Sequence, residues 1–447
     1  MTFCPWCGLQ ARATLVSCTS CGTDFVPYRA AVAGGARRKA LPSRFWRQLT
    51  ASAISNVGDG ITLGALPLLA ILLTRDSRLI GGVTFASLFP WVLFALPVGV
   101  VIDKYDRRRL LIGANIARGV ILVVLCLSTA FGWTTIWLLY CSLFLLGTAE
   151  VLFDSCAHAF LPALVDSEQL ERANGLLSLT ETFGARFVGM PLGALLFAVA
   201  AGLPFGADAA SFAITVALLT TIRVSVPASL PKQQARVETY RFQILDGVRR
   251  LWRHHLLRPL VVLLGIVNFA GYLGIATFVQ FAIETLHVQQ RWYGALLALM
   301  AFGALIGGLL GSRVVRKLGR SQSIVLSYVL LGLCPIGTGL ANNFATVAFF
   351  SLVDAFAVTL WNIVTMSLRQ RIIPTGQFGR INGVFRWIGF GSMSLGALVG
   401  GVLAHQFGLR APFVIGGAII LFASVYAAVM LTPARVSAGE VVPWAQV

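Results

Sequence analysis

The chain has 447 residues, of which 57% are hydrophobic and 12% charged, and its mean hydropathy is +0.81. Soluble chains run near half apolar and a quarter charged, so this balance excludes a string of soluble domains and requires a bilayer as solvent. The net charge of +18 would suggest nucleic-acid binding in a soluble protein. Here the basic residues cluster between apolar runs, and no nucleic-acid partner is expected.

The opening residues, MTFCPWCGLQ, hold no apolar run of the signal-peptide kind. They carry Cys4-Pro-Trp-Cys7, answered by Cys18-Thr-Ser-Cys21, with Gly8 and Gly22 after the second cysteine of each pair. Two CxxC turns supply four thiolates for one tetrahedral Zn²⁺ with no open coordination position. A reducing cytoplasm favours metal over disulfides there, and a module this small depends on its metal to fold. Residues 1–28 therefore form an expected structural zinc site of the zinc-ribbon kind. A redox pair or a vestigial site is the other reading of these cysteines. The ribbon's role is structural, sensory, or a docking site for a cytoplasmic protein partner. Residues 29–47 are a basic linker. Cys126, Cys141, Cys156 and Cys334 fall in apolar runs and read as packing residues.

From residue 48 onward, runs long enough to cross about 30 Å of hydrocarbon recur. Six spans are expected at 48–73, 79–101, 110–130, 135–158, 172–200 and 205–223, and six more at 258–283, 292–315, 321–341, 344–368, 381–404 and 411–432. Arg and Lys sort by side: Lys104, Arg107, Arg108, Arg109, Arg313, Arg316, Lys317, Arg320, Arg369, Arg371 and Arg380 occupy loops on one side, against Arg75, Arg78, Arg291 and Arg410 on the other. The positive-inside bias puts both termini and the central segment in the cytoplasm of a plasma-membrane protein.

Residues 224–257 separate the two sets of six. Within them, Phe242, Leu245, Val248 and Trp252 share one helical stripe, read as a helix in the inner interface or as a solvated linker helix. The halves echo each other: Arg172-Ala-Asn174-Gly175 answers Arg380-Ile-Asn382-Gly383, and Met190-Pro-Leu-Gly193-Ala-Leu answers Met393-Ser-Leu-Gly396-Ala-Leu. The expected fold is an all-α membrane protein with 12 transmembrane helices in two pseudo-symmetric six-helix bundles (48–223 and 258–432), plus the ribbon and a cytoplasmic tail at 433–447. Such repeats suit a carrier that rocks one bundle on the other around a midplane site.

After the second span comes Gly99-Val-Val-Ile-Asp103-Lys104-Tyr-Asp106-Arg107-Arg108-Arg109. A carboxylate at a helix end in the membrane needs a donor or cation, so Asp103 reads as one member of a charged latch, or as incidental in a topogenic basic loop. Gly99, Asp103, Arg107 and Arg108 match the G-x-L-x-D-R-x-G-R-[RK] signature of the major facilitator superfamily, with Lys104 conservatively replacing an arginine and Asp106 replacing a glycine. That aspartate, Gly58-Asp59-Gly60 and Arg172-Ala-Asn174-Gly175 resemble the branch containing macrolide-efflux and enterobactin-exporter permeases. The resemblance covers about residues 45–432 and implies small-molecule transport by a monomer. The fifth span departs from the antiporter motif G-x-x-x-G-P-x-x-G-G: Gly184-Ala-Arg186-Phe-Val-Gly189-Met190-Pro191 sets one residue between glycine and proline and introduces an arginine. The second-half counterpart, Gly308 to Arg320, lacks the aspartate.

Ionisable groups at membrane depth are costly and mark a pathway or a pair. Asp59 and Asp354 lie near the midplane, Glu150 and Asp154 four apart on the fourth helix, Glu181 and Arg186 on the fifth, and Arg118 on the third. Carboxylates outnumber arginines, and a carboxylate without a counter-charge in a low-dielectric cavity binds a proton near neutral pH. The expectation is a structural Glu150–Arg118 pair, with Asp59, Glu181 or Asp354 carrying a proton; the alternative is that every group is satisfied by pairs or water. Trp361, Phe356, Phe269 and Tyr272 line a substrate wall or serve as packing. Three functions follow: export of an amphiphilic drug-like or siderophore-like molecule by proton antiport, uptake through the same fold, or a non-transporting receptor. With no phosphate-binding glycine loop, no G-x-S-x-G and no open metal site, an enzyme is not expected.

Overall fold

A computed structural model describes residues 2–3, 10–11, 41–95, 97–161, 164–165, 169–221, 248–373 and 375–436. The cysteines of the CxxC pairs lie outside the described residues, as does most of the segment 224–257. Two short strands, β1 (Thr2–Phe3) and β2 (Gln10–Ala11), pair antiparallel with Thr2 opposite Ala11 and Phe3 opposite Gln10. Everything else with regular structure among the described residues is helical.

The first half of the chain contributes α1 (Ser43–Leu73), α2 (Ser77–Phe94), the short α3 (Val98–Lys104), α4 (Arg107–Ala130) and α5 (Ile136–Phe160). It continues through α6 (Leu170–Thr180), the π-helical segment π1 (Glu181–Gly189), α7 (Met190–Val199) and α8 (Leu203–Thr221). The second half contributes α9 (Leu257–Ile275), extended by helical turns to Thr285, then α10 (Gln290–Leu340), α11 (Phe344–Ile372), α12 (Thr375–Phe407) and α13 (Ala411–Met430). Side-chain caps start several of these as their sequence dictates. Asp76 accepts from the Arg78 N–H at 2.9 Å, Asp106 from Arg109 N–H at 2.9 Å, Thr135 from Leu138 N–H at 3.2 Å and Asn343 from Thr346 N–H at 2.9 Å.

Among the described residues, eleven helices are long and apolar enough to cross a membrane. The expected count of twelve differs from this at one place, where the expected spans 292–315 and 321–341 appear as the single run Trp292–Leu340 of 49 residues. A straight α-helix of that length would reach roughly 70 Å, over twice the hydrocarbon thickness. It is not straight: Gly319, with φ 79° and ψ 167°, interrupts α10 in a conformation that an L side chain resists.

Between the spans, residues 248–253 are helical, with Leu251 buried and the expected stripe members Val248 and Trp252 exposed. Buried His254 then accepts at Nδ1 from the N–H groups of Leu256 and Leu257, at 3.1 and 3.3 Å, tying this segment to the start of α9. Such a cap needs an unprotonated Nδ1, and burial followed by the neighbouring His255 pushes the imidazole down to about 4.

Helices approach most closely where small residues meet backbone, as lipid-embedded bundles require. A Cβ on Gly193 would stand 2.0 Å from the Ile61 carbonyl oxygen, and one on Gly60 would stand 2.2 Å from that of Ala185, so α1 lies directly against π1 and α7. In the second half, a Cβ on Gly396 would stand 2.2 Å from the Phe269 oxygen and one on Gly400 would stand 2.2 Å from that of Leu273, which sets α9 against α12. Gly193 and Gly396 are the matching glycines of the two Met-x-Leu-Gly echoes.

These contacts make a direct expectation. Gly193→Ala forces the α1–α7 backbones apart and costs about 1–3 kcal/mol, read as a lower melting temperature in detergent. Gly113→Ala, whose new methyl meets nothing within 4 Å, is neutral or stabilising by up to about 1 kcal/mol. Equal melting temperatures for the two variants would remove the close-packing account.

Candidate functional site

The centre of the first half is a charged cluster built on α1, α4 and α8. Arg118 of α4 is only 4% exposed and forms an ion pair with Asp59 of α1. Its guanidinium lies 4.4 Å from the ring centroid of Phe212 and 5.6 Å from that of Phe153, an arrangement that offsets part of the cost of burying the cation. The expected partner of Arg118, Glu150, does not make this pair. Asp59 takes it because Gly58 and Gly60 let neighbouring helices close around the Asp59 turn, while Glu150 of α5 lies within the same electrostatic field without pairing among the described residues.

Beside this pair stands Asp208 of α8, 1% exposed and accepting from Thr62 Oγ1 at 2.5 Å and Ser211 Oγ at 3.0 Å. Gly58 makes room for it: a Cβ there would meet the Asp208 Oδ1 and Ser211 Oγ atoms, each at 2.2 Å. Asp208 is not among the residues expected from the sequence. The cluster thus sets one guanidinium among Asp59, Asp208, Glu150 and, from π1, Glu181, whose charges act on one another. Asp354 of α11 stands apart. Among the described residues no ion pair or hydrogen bond engages it, and its charge is felt at Cys334.

A second set of contacts crosses the seam between the halves. At the arginine-rich end, Arg386 of α12 donates to Asp154 of α5 at 2.8 Å and stacks 4.8 Å from the Trp91 ring of α2. Trp91 in turn stacks on Phe390 with centroids 4.6 Å apart and planes 9° apart, and the Trp387 indole N–H donates to the Val92 carbonyl at 3.0 Å. Arg386 is another residue that the sequence reading misses.

At the opposite end, Ser77 Oγ donates to Gln280 Oε1 at 2.8 Å, the Gln280 amide donates to the Arg75 carbonyl at 2.8 Å, and His405 Nδ1 lies 3.5 Å from Asp76. The Arg78 side chain, hydrogen-bonded to Asp76, holds that carboxyl down to about 2, so it stays charged at every physiological pH.

The residues of the expected loop latch are placed differently from one another. Asp103 and Lys104 have side chains outside the described residues, and Gly99 lies within α3. Arg108 donates to the carbonyls of Leu219 and Thr220, at 3.3 and 2.6 Å, and so caps the C-terminus of α8 in its own half. Arg107 acts on Cys156 of α5. Asp106, which stands where the signature has glycine, is the N-cap of α4. In the second half, Asn382 of the echo motif accepts from Arg369 at 2.9 Å. Trp361 is core packing rather than cavity wall, edge-on to Tyr328 at 4.8 Å.

The fifth-span departure also has a geometric form. Residues Glu181–Gly189 are π-helical, with the Met190 N–H bonded to the Ala185 carbonyl five residues back. A π turn takes up one residue more than an α turn, which absorbs the extra residue ahead of Pro191. Gly184, Gly189 and Gly193 then all reach α1.

The chain matches the Major Facilitator Superfamily profile over residues 49–389 and again over 284–446. It belongs to that family and is a multi-pass membrane transporter, not an enzyme. It is 25% identical over 387 residues to the enterobactin exporter EntS of Citrobacter koseri, covering 82% of this chain and 87% of that protein. It is also 22% identical over 331 residues to the MFS-type transporter YjbB of Bacillus subtilis, covering 70% and 78% respectively. In three dimensions it is similar to the nucleoside transporter NupG (TM-score 0.67, 14% identity, 88% of this chain and 100% of that one). A bacterial homologue of the iron transporter ferroportin in an inward-facing state is also similar (TM-score 0.69, 17% identity, 88% and 100%).

The central pair carries a stability expectation. Arg118→Ala leaves a largely buried carboxylate without its cation and costs about 3–5 kcal/mol, seen as a marked fall in melting temperature. Combining it with Asp59→Asn recovers most of that loss. A double variant no more stable than Arg118→Ala alone would mean the pair does not hold these helices.

Proposed function

We propose that this protein is a secondary exporter of small amphiphilic molecules, working by alternating access and driven by proton antiport. The carrying observation is the Asp154–Arg386 ion pair, which joins α5 of one half to α12 of the other at the arginine-rich end. A rocking motion that opened this end would have to break it. Glycine contacts repeated at matching positions of α7 and α12 support two pseudo-symmetric six-helix bundles. Dividing α10 at Gly319 gives twelve crossings, which return both termini to the cytoplasmic face of the plasma membrane. The direction of transport is supported by the similarity to enterobactin exporters.

Proton coupling is assigned to the α1–α4–α8 cluster, where Arg118 neutralises one carboxylate and others remain in its field. Asp208 joins Asp59 and Glu181 as a proton-carrying group, with Asp354 as the second-half alternative. Substrate-dependent proton flux in reconstituted vesicles tests this reading. Asp208→Asn and Asp59→Asn should each cut coupled flux about tenfold or more, and Asp154→Asn should slow it severalfold, with the swap Asp154→Arg plus Arg386→Asp restoring part of the rate. Absence of flux across a panel of drugs and siderophores would favour a receptor.

The N-terminal ribbon is assigned a structural Zn²⁺ held by Cys4, Cys7, Cys18 and Cys21. The β1–β2 pairing supports this, because the two strands flank the Cys4-Pro-Trp-Cys7 sequence, as a ribbon's first ligand pair requires. Metal analysis should find zinc bound to the wild-type chain and lost from Cys4→Ser plus Cys7→Ser; equal zinc in both would refute the ligand set.

A further inference from the structure

Arg186 lies midway along the span Arg172–Val199, roughly 20 Å of helix from either end. Three faces of this span are already committed. Gly184, Gly189 and Gly193 press on α1. Pro191 and Ala194 meet Gly294 of α10. Val188, Leu192 and Val199 form an exposed aliphatic stripe suited to lipid. Arg186 belongs to none of them. It is exposed, and its charge acts on Tyr272 of α9, in the other half. At that depth an exposed guanidinium is tolerated where it meets water rather than lipid, which sets Arg186 on the cleft that a carrier opens through the membrane.

An arginine at this depth costs several kcal/mol unless it meets a counter-charge. Among the acids of the first half, Asp59 pairs with Arg118, Asp154 with Arg386, and Asp208 accepts from Thr62 and Ser211. Among the described residues no hydrogen bond or ion pair engages Arg186. Its charge is permanent, and its fork of N–H donors fits a carboxylate or phosphate in two-point fashion.

We propose that Arg186, midway along this span, binds an anionic group of the transported molecule, a carboxylate, phenolate or phosphate. This deepens the transport reading and rests on it. It also sets specificity, because a cationic amphiphile entering the same low-dielectric cleft meets a fixed like charge at short range.

Fluorescein and rhodamine 6G share a ring skeleton but carry opposite charge, so their equilibrium binding to the full chain in nanodiscs separates the alternatives. Wild type should bind fluorescein, Arg186→Gln should weaken that binding about tenfold or more, and Arg186→Lys, which keeps the charge but loses the fork, should weaken it less at an unchanged melting temperature. Rhodamine 6G should bind wild type poorly and gain affinity in Arg186→Gln. The assignment is overturned if wild type fails to bind fluorescein, if it binds rhodamine 6G as tightly, or if Arg186→Gln changes neither affinity. Because binding needs no gradient, fluorescein binding without flux of any probe would sink the transport reading alone. Flux carried only by cations and indifferent to Arg186→Gln would sink the anion site alone.

Discussion

A guanidinium in the middle of an apolar bundle has to be answered, and the answer organises the first half of this protein. Arg118 is held by Asp59 and covered by Phe212 and Phe153. These come from α1, α8 and α5, so one buried cation fixes how three helices stand around α4. Two of its nitrogens, Nε and Nη1, are buried with no hydrogen-bond partner, which leaves a strongly positive centre able to attract further acids. Asp208 and Glu181 lie within that field. The pair is structural in energy and functional in position, and the two roles have the same origin, the cost of a charge in hydrocarbon.

Close approach of backbones makes this arrangement possible. The glycines at 58 and 60 flank Asp59, one admitting the Asp208 carboxylate and the other the Ala185 carbonyl. With side chains there, α8 and π1 would stand farther from α1, and the carboxylates would be spread along the bundle rather than gathered on one cation. Lipid gives helices no hydrophobic reason to associate, so van der Waals contact between small residues has to supply it. The same device recurs at Gly396 and Gly400 between α9 and α12. The seam between halves is different in kind: at its arginine-rich end it is held by a partly exposed ion pair and stacked aromatics, which are contacts that can part and re-form.

Much of this is legible in the sequence because hydropathy and charge obey the bilayer directly. The spans, the asymmetry of arginines and the family signature all report one-dimensional constraints. What escapes needs three dimensions. Asp208 and Arg386 sit three and five residues inside their expected spans, so each reads as a boundary charge until the helices are seen to extend past them. Sequence pairs Glu150 with Arg118 because both lie in the inner halves of adjacent helices, but depth alone does not choose between acids; the glycines around Asp59 do. Arg108 matches a latch signature, yet its donors meet the carbonyls ending α8, because a helix C-terminus offers unsatisfied acceptors wherever a loop passes it. Gly319 marks a boundary: its non-helical backbone breaks the long apolar run between the expected spans 292–315 and 321–341, a break that sequence places only through the charges around it.

The fifth span shows how a departure from a motif in sequence can leave the packing it serves intact. An extra residue before Pro191 would rotate everything upstream by about 100° on an ideal α-helix, and would carry Gly184 away from α1. Widening Glu181–Gly189 into a π-helix takes up that residue and also eases the clash that a proline ring makes with the carbonyl four residues earlier. The glycine-to-glycine spacing of five and then four follows this change of period, so that both intervals complete about one turn. The bulge thus preserves a packing face that the altered spacing would otherwise have lost.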